Sequence, residues 1–372
     1  MKVALDVSAV PPQIAGAGRY IDELARRLPD ADVTTTLVTR RGDTRRWRDR
    51  SPRADVRGLV PDGRVARLAY EAWSLGASAT AREADLWHAP HYTMPRRGTR
   101  PTVVTIHDLT FFTNPEWHER SKVIFFRRAI TYSAQHARVL VSVSDYSARL
   151  LTSLIPSHAP IVVAPLGVEL ATFQPGDRDD ESVLRGHGLR TEVPYVFFVG
   201  TVEPRKGLDV LLDAFGQVAR DDHEVELWLA GQSGWGEGPI EAQIEGHPFR
   251  ARIRRLGFVD DALLPVLYRH ARAVTYPSRG EGFGLPVLEA MACGASVVTT
   301  RDTVMAEVAG DGARLVPVGD VDALAASLVD VLESSDDDRR QWAGRARERA
   351  EHFTWEGCVA QHLVAYEKAM AG

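Results

Sequence analysis

A chain of 372 residues is too long for one ordinary hydrophobic core and calls for two domains. Its 44% hydrophobic and 26% charged residues are those of a soluble globular protein, and a formal net charge of −5 speaks against nucleic acid as the main partner. No uninterrupted apolar run approaches the ~20 residues of a membrane span, and the opening residues 1–7 lack the longer apolar run and cleavage site of a signal peptide. The two cysteines, Cys293 and Cys358, have no metal-ligand spacing, so a reduced, intracellular protein is expected.

Residues 2–7 read as a strand and lead through Ala15-Gly16-Ala17-Gly18-Arg19-Tyr20 to an amphipathic helix over 20–28. Strand, glycine loop and helix form a ligand-binding arrangement in open α/β sheets. The third glycine of a dinucleotide fingerprint is missing, which favours a loop approaching some other ligand. Residues 40–57 hold eight arginines against Asp43, Asp49 and Asp55. They read either as a solvated loop or as a basic patch facing anionic lipid or an anionic acceptor. Apolar runs at 33–39, 85–89, 102–106, 139–143 and 161–164 read as further strands. A helix is expected over 122–137, where Val123, Phe126, Ile130 and Ala134 stand at helical spacing. Such alternation predicts a mostly parallel sheet covered on both faces, with ligands at the carboxyl ends of its strands. His107-Asp108 and Ser144 lie at such ends.

The pattern lapses between 170 and 194, and the polar, turn-rich stretch 174–189 reads as a linker. A second series then predicts strands at 195–199, 224–230, 252–259, 273–276, 296–300 and 314–318. Helices are expected at 208–219, 261–270, 286–293, 304–309, 321–332 and 339–352, with a last one over 355–370. The expected fold is α/β, two Rossmann-like sheets with a ligand cleft between them.

Residues 277–294, Pro-Ser-Arg-Gly-Glu-Gly-Phe-Gly-Leu-Pro-Val-Leu-Glu-Ala-Met-Ala-Cys-Gly, organise the chemistry. A buried strand runs into a loop with Gly280, Gly282 and Gly284, then into a helix that Pro286 can open and Gly294 can end. Exposed amides at a helix start attract anions, yet Glu281 sits in that loop and Glu289 in the helix. A carboxylate there repels phosphate unless it faces something else, such as sugar hydroxyls. Glu289, among Leu, Ala, Met and Cys, needs a partner: Arg279, a backbone amide, or the vicinal hydroxyls of a ribose. After the first strand of the second series comes Gly200-Thr201-Val202-Glu203-Pro204-Arg205-Lys206-Gly207, whose two cations suit a diphosphate. His107 reads as a cleft residue rather than a core histidine. His88 and His91 invite a metal reading without an apparent third ligand, and no Asp-x-Asp stands at a strand end to hold a nucleotide's Mg²⁺.

These residues together resemble a GT-B glycosyltransferase of the large retaining family 4, over essentially the whole chain. Glu281 and Glu289 match the family's Glu-x7-Glu motif, and Arg205-Lys206 its diphosphate-binding pair. His107-Asp108-Leu109 resembles its first-domain histidine motif, and Pro165-Leu166-Gly167-Val168-Glu169 its Pro-Asn-Gly-Val-Asp segment. The Gly-x-Gly-Arg-Tyr opening is most similar to mannosyl- and related transferases of polysaccharide assembly. The resemblance implies an acceptor domain of residues 1–173 with helix 355–372, a linker at 174–189 and a donor domain of 190–354. It implies that Arg205 and Lys206 hold the diphosphate of a nucleotide sugar. Glu281 would contact the sugar, with the amides of Gly282, Phe283, Gly284 and Leu285 around sugar and phosphates. Glu289 would take the ribose, and Gly231 and Val259 would border the base. Gly16, Gly18, Tyr20 and Tyr92 would lie on the acceptor side, with His107 over the reacting sugar. Many members carry Arg where this chain has Thr201, and the usual Asn and Asp of the last motif are Leu166 and Glu169 here.

The implied reaction is a metal-independent, retaining hexosyl transfer without a cofactor. GDP-mannose is the first donor to test, and a glycan, lipid-linked or small-molecule hydroxyl the acceptor. The expected location is cytoplasmic, and residues 40–57, read as a basic patch, would give peripheral membrane contact. The rival readings are a GT-B sugar-nucleotide epimerase and a catalytically silent sugar-nucleotide-binding subunit.

Overall fold

The computed structural model describes residues 1–14, 16–98, 100–176, 179–189, 192–221, 224–234 and 237–371. It divides into two units, Met1–Gly167 with Thr354–Gly372, and Val168–Phe353. Ala15 of the first glycine loop, and Asp177 and Arg178 of the expected linker, lie outside the described residues.

Among its described residues the first unit carries seven strands: β1 (Lys2–Asp6), β2 (Thr34–Arg40), β3 (Asp55–Val60), β4 (Leu86–Ala89), β5 (Thr102–Ile106), β6 (Val139–Ser142) and β7 (Ile161–Val163). They pair in the order β3-β2-β1-β4-β5-β6-β7, every ladder parallel. All four residues of β4 and of β6 are buried, as a sheet sandwiched between helices requires. The helix Trp355–Ala371 packs across β4 to β7 of this unit.

The stretch 40–57 is not a loop. It forms the helix Thr44–Arg50, anchored by fully buried Trp47, and the start of β3, an edge strand that the run of arginines hides. Five of its arginines have partners within the unit. Arg40 donates to Asp43 (2.8 Å), Arg46 to the Pro11 carbonyl (2.7 Å), Arg50 twice to Asp22 (2.5 and 2.6 Å), Arg53 to Asp30, and Arg57 to Glu83 (2.7 Å). Arg41, Arg45 and Arg48 are exposed.

The second unit carries β8 (Tyr195–Val199), β9 (Glu226–Ala230), β10 (Ile253–Gly257), β11 (Ala273–Tyr276), β12 (Val297–Thr300) and β13 (Arg314–Val316), again all parallel, in the order β10-β9-β8-β11-β12-β13. Residues 168–189 belong to this unit and do not link it to the first. Polarity misled the sequence reading there. The helix Asp180–Gly186 is held down by Asp180, which accepts from Arg269 and, at 3.2 Å, from His270. The chain instead leaves the first unit at Gly167, where an added Cβ would lie 2.2 Å from the amide nitrogen of Trp355. A glycine lets the outgoing and returning strands of chain pass that closely.

In an open parallel sheet, the loops that diverge where strand order reverses leave a crevice at the carboxyl edge. The reversal lies between β1 and β4 in the first unit and between β8 and β11 in the second. The loops after these strands, and after β5, carry most of the residues singled out from sequence.

Candidate functional site

In the second unit, the loops after β8 and β11 are joined by their backbones. The Arg279 amide donates to the Arg205 carbonyl (2.7 Å), and Ser278 Oγ donates to the same oxygen (3.0 Å). This join brings Arg205, Lys206 and Glu281 together across 75 residues of sequence. Arg205 Nη1 lies 2.5 Å from Glu281 Oε2, while its Nε donates to Glu203 at 2.8 Å. Lys206 Nζ donates to Glu281 Oε1 and to the Tyr276 hydroxyl, and that hydroxyl donates to Glu281 Oε1 at 3.1 Å. Glu281 thus faces both cations. Burial pushes its carboxyl up, but Arg205 and Lys206 outweigh burial and hold it down at about 2. Burial, with Arg205 beside it, pulls Lys206 below the ordinary lysine value.

The glycine loop then enters the helix Leu285–Ala292, with Pro286 in its first turn. Cys293 caps it, and Gly294 follows with a left-handed φ of 72°. Gly284, at φ 116°, precedes the first helical turn, and Gly282 lies in the loop before it. Phe283 is buried edge-on against Phe353, so its side chain anchors the loop and its backbone is what the loop presents. Leu285 is buried at the helix start. Glu289 is buried on the helix and accepts from Tyr268 Oη at 3.3 Å. Arg279 is not its partner; it donates to Asp209 (2.5 Å) and to the Pro204 carbonyl (2.7 Å).

Gly231 follows β9 in a conformation that favours glycine (φ 137°), and a Cβ there would lie 1.9 Å from the Gly200 carbonyl. The two strand-end glycines therefore pack backbone to backbone beside the cation loop. Val259 stands two residues beyond β10, half-buried. Tyr276 and Tyr268 escaped the sequence reading. Tyr276 is the last residue of β11, so the strand-end rule that picks out Glu281 also points to it. Tyr268 lies 21 residues before Glu289, and no local signal pairs them.

The first unit's edge is built differently. His107 follows β5 and is only 7% exposed. Its Nε2–H donates to the Pro90 carbonyl (2.8 Å), which leaves the Nδ1 lone pair as the ring's acceptor. Burial holds His107 below the ordinary histidine value, hence neutral at pH 7. Tyr20 packs edge-on to it, with ring centroids 5.1 Å apart. Tyr20, expected on the acceptor side, has its hydroxyl engaged within the unit. It is fully buried, and the hydroxyl bonds Thr105 Oγ1 (2.8 Å) and His362 Nε2 (2.7 Å). The Tyr92 hydroxyl donates to Asp108 (3.0 Å) from a buried ring, at a backbone φ of 58°. Gly16, exposed at φ 51°, precedes the helix Ala17–Arg27, whose second residue Gly18 is buried.

Donor and acceptor chemistry orders the interior network into one chain. His362 Nδ1–H donates to the Cys358 carbonyl (2.8 Å), so its Nε2 accepts from Tyr20. Tyr20 in turn accepts from Thr105, which accepts from His88 Nε2–H (2.9 Å), and the free lone pair on His88 Nδ1 accepts from Tyr366 (2.8 Å). This arrangement uses His88 fully and removes it as a metal ligand. Among the described residues, no group of three or more His, Cys, Asp or Glu side chains could hold a metal ion. Both cysteines are buried and free, their thiols pushed up to about 12 by burial. After β1, Ser8 Oγ donates to buried Glu71 (2.8 Å), and Arg67 donates to the same oxygen (2.5 Å). Burial, then nearby Asp6, pushes Glu71 up to about 7. No motif in the sequence points to this pair.

Comparison with known proteins places this geometry. Residues 14–172 match the model described as Glycosyltransferase Family 4, and residues 179–349 the model of Glycosyl transferases group 1. The chain is 30% identical over 389 residues to O-antigen chain mannosyltransferase B of Escherichia coli, covering 99% of this chain and all of that one. It is 35% identical over 239 residues to phosphatidyl-myo-inositol mannosyltransferase of Mycolicibacterium smegmatis, covering 62% of this chain and 58% of the relative. Its fold is that of sucrose-phosphate synthase from Thermosynechococcus elongatus (TM-score 0.78, 22% identity, 100% and 99% of the two chains). It is equally that of the Anabaena protein HepE in complex with UDP-glucose (TM-score 0.77, 21% identity, 100% of both). Two parallel Rossmann-like sheets, the paired strand-edge motifs and the full-length match make one case: the chain belongs to the group 1, family 4 glycosyltransferases and has their GT-B fold.

Proposed function

We propose that this glycosyltransferase moves a mannosyl unit from GDP-mannose to a hydroxyl of a glycan or lipid-linked glycan, with retention and without a metal. The observation that carries the reading is the Arg205–Lys206–Glu281 cluster at the strand reversal of the second unit. Two cations held at a glycine-rich loop and helix start suit a diphosphate. The mannose assignment is supported by the full-length relative, whose name is O-antigen chain mannosyltransferase B.

In this reading the second unit binds the donor. Arg205 and Lys206 exchange Glu281 for the diphosphate and stabilise the charge that develops as it leaves. Glu281, released from the cations, meets sugar hydroxyls, and Glu289 takes the ribose. Hydrogen bonds to such a carboxylate contribute about 1.5–3 kcal/mol each. Gly231 and Val259 border the base. The first unit, residues 1–167 with the last helix, takes the acceptor beside Gly16, and His107 Nδ1 accepts from a sugar hydroxyl. The acceptor oxygen bonds to the anomeric carbon on the face from which the phosphate oxygen departs, and its proton passes to that phosphate. Exposed Arg41, Arg45 and Arg48 are where contact with anionic lipid would run, at the cytoplasmic membrane face.

The test is a thermal-shift panel of GDP, UDP, ADP and their mannose and glucose esters, followed by mass spectrometry of products on glycan acceptors. A ligand that favours the native state raises its midpoint, so GDP-mannose should give the largest shift and a mannosylated product. A panel led by UDP-glucose overturns the donor assignment. Turnover should survive EDTA; loss restored by Mg²⁺ or Mn²⁺ overturns the metal-free reading.

A further inference from the structure

We propose that Tyr276 is a positioning residue for Lys206, its hydroxyl fixing the ammonium and keeping it protonated at the phosphate-binding edge of the second sheet. This rests on the diphosphate role of Lys206 proposed above. Tyr276 ends β11 and is 1% exposed, its ring stacked on Phe198 (5.7 Å between centroids, 12° between planes). Lys206 Nζ stands 4.9 Å from that ring's centroid and donates to its hydroxyl, which itself donates to Glu281 (3.1 Å).

An ammonium has three donors and no acceptor. Tyr276 and Glu281 engage two of them, which leaves one for an anionic ligand. The hydroxyl matters because it is uncharged. A buried ammonium needs acceptors to remain protonated. A second carboxylate in this place would serve but would repel a diphosphate, and a phenylalanine would leave Nζ short of a partner. Burial, then Glu281, pushes Tyr276 well above the ordinary tyrosine value, so it stays a neutral phenol. The Tyr276–Lys206 bond therefore does not depend on whether Glu281 or a diphosphate faces the cation. The charged groups around Nζ are Glu281 from the loop after β11, and Arg205 and Glu203 from the loop after β8. Tyr268, near enough to feel Tyr276, donates to Glu289 (3.3 Å).

The experiment measures the affinity of GDP and of UDP by calorimetry from about pH 7.5 to 10, above the last phosphate proton near 6. Wild-type affinity should fall as Lys206 deprotonates. Tyr276→Phe keeps the ring and loses only the hydroxyl. It should move that fall to lower pH by about one unit, about tenfold weaker binding between the two limbs. Lys206→Ala should bind weakly with no such limb, and adding Tyr276→Phe to it should cost no more than about twofold, because the tyrosine acts through the lysine. An unmoved limb in Tyr276→Phe, or additive losses in the double variant, overturns the proposal. If Tyr276→Phe does not fold, 3-fluorotyrosine at position 276 keeps the hydroxyl but weakens it as an acceptor; its limb should move the same way by less, and an unmoved limb overturns the proposal. Unchanged GDP and UDP affinity in Lys206→Ala would instead overturn the diphosphate reading itself.

Discussion

The two sheets share an architecture but arm their carboxyl edges in opposite ways. The second unit stores charge: Arg205 and Lys206 are held against Glu281. Beside its Arg67–Glu71 pair, the first unit stores neutrality: Tyr366, His88, Thr105, Tyr20 and His362 form a buried chain in which each proton has one place. Burial drives both outcomes. Where opposite charges are adjacent, their attraction offsets desolvation and Glu281 stays ionised. Where only histidines and hydroxyls are adjacent, desolvation wins, taking His362 to about 4. The first arrangement is poised for exchange with a polyanion. The second fixes the C-terminal helix and the ring against which His107 packs.

The largest expected effect tests the charged edge. Lys206→Ala should lower kcat by about 10²–10³, the scale of losing one preorganised electrostatic donor, with an unchanged circular dichroism spectrum. Turnover near wild type would erase the functional contrast between the edges.

Acid should separate them next. The folded values of His362 (about 4) and His91 (about 3) lie below the unfolded 6.5. Their stabilising contribution is thus full above 6.5 and lost as pH falls toward those values. Glu281 is also lowered, from 4.5 to about 2, so its contribution of about 3 kcal/mol begins to fade only below 4.5. Hydrogen exchange followed from pH 7 down to about 3 should show the Tyr20–His362 region losing protection before the Glu281 loop. Simultaneous loss from near pH 6.5 would mean that the two edges do not differ in this way.

A smaller effect isolates the neutral chain. His362→Phe fills the space but leaves the buried Tyr20 hydroxyl short of an acceptor, a cost of about 2 kcal/mol read from the urea midpoint. An unshifted midpoint would show that the order of the chain contributes nothing. Smallest, Glu289→Gln should weaken GDP binding by about tenfold, or about 1.4 kcal/mol by calorimetry. Unaltered affinity would remove the ribose assignment and leave Glu289 as Tyr268's partner alone.

Much of this molecule was legible in its sequence, because strand runs and strand-end loops are local signals. Twelve of the thirteen strands among the described residues can be anticipated; β3 could not, since Asp55 and Arg57 mask an edge strand whose inward residues are Val56 and Val60. The polar stretch 174–189 looked like a linker because its anchor, Asp180 on Arg269, lies 89 residues away. The motifs put Arg205, Lys206 and Glu281 on loops at one sheet edge and Glu289 in the helix that follows, since strand order and loop position fix that much. Only the tertiary structure decided what each faces. Glu281 meets cations from a loop 75 residues earlier, and Tyr20 gives its hydroxyl to a histidine 342 residues later. Periodicity determines which side of an element is buried. A hydrogen bond's partner is determined by which distant element fills the space opposite, and that follows from packing the whole unit.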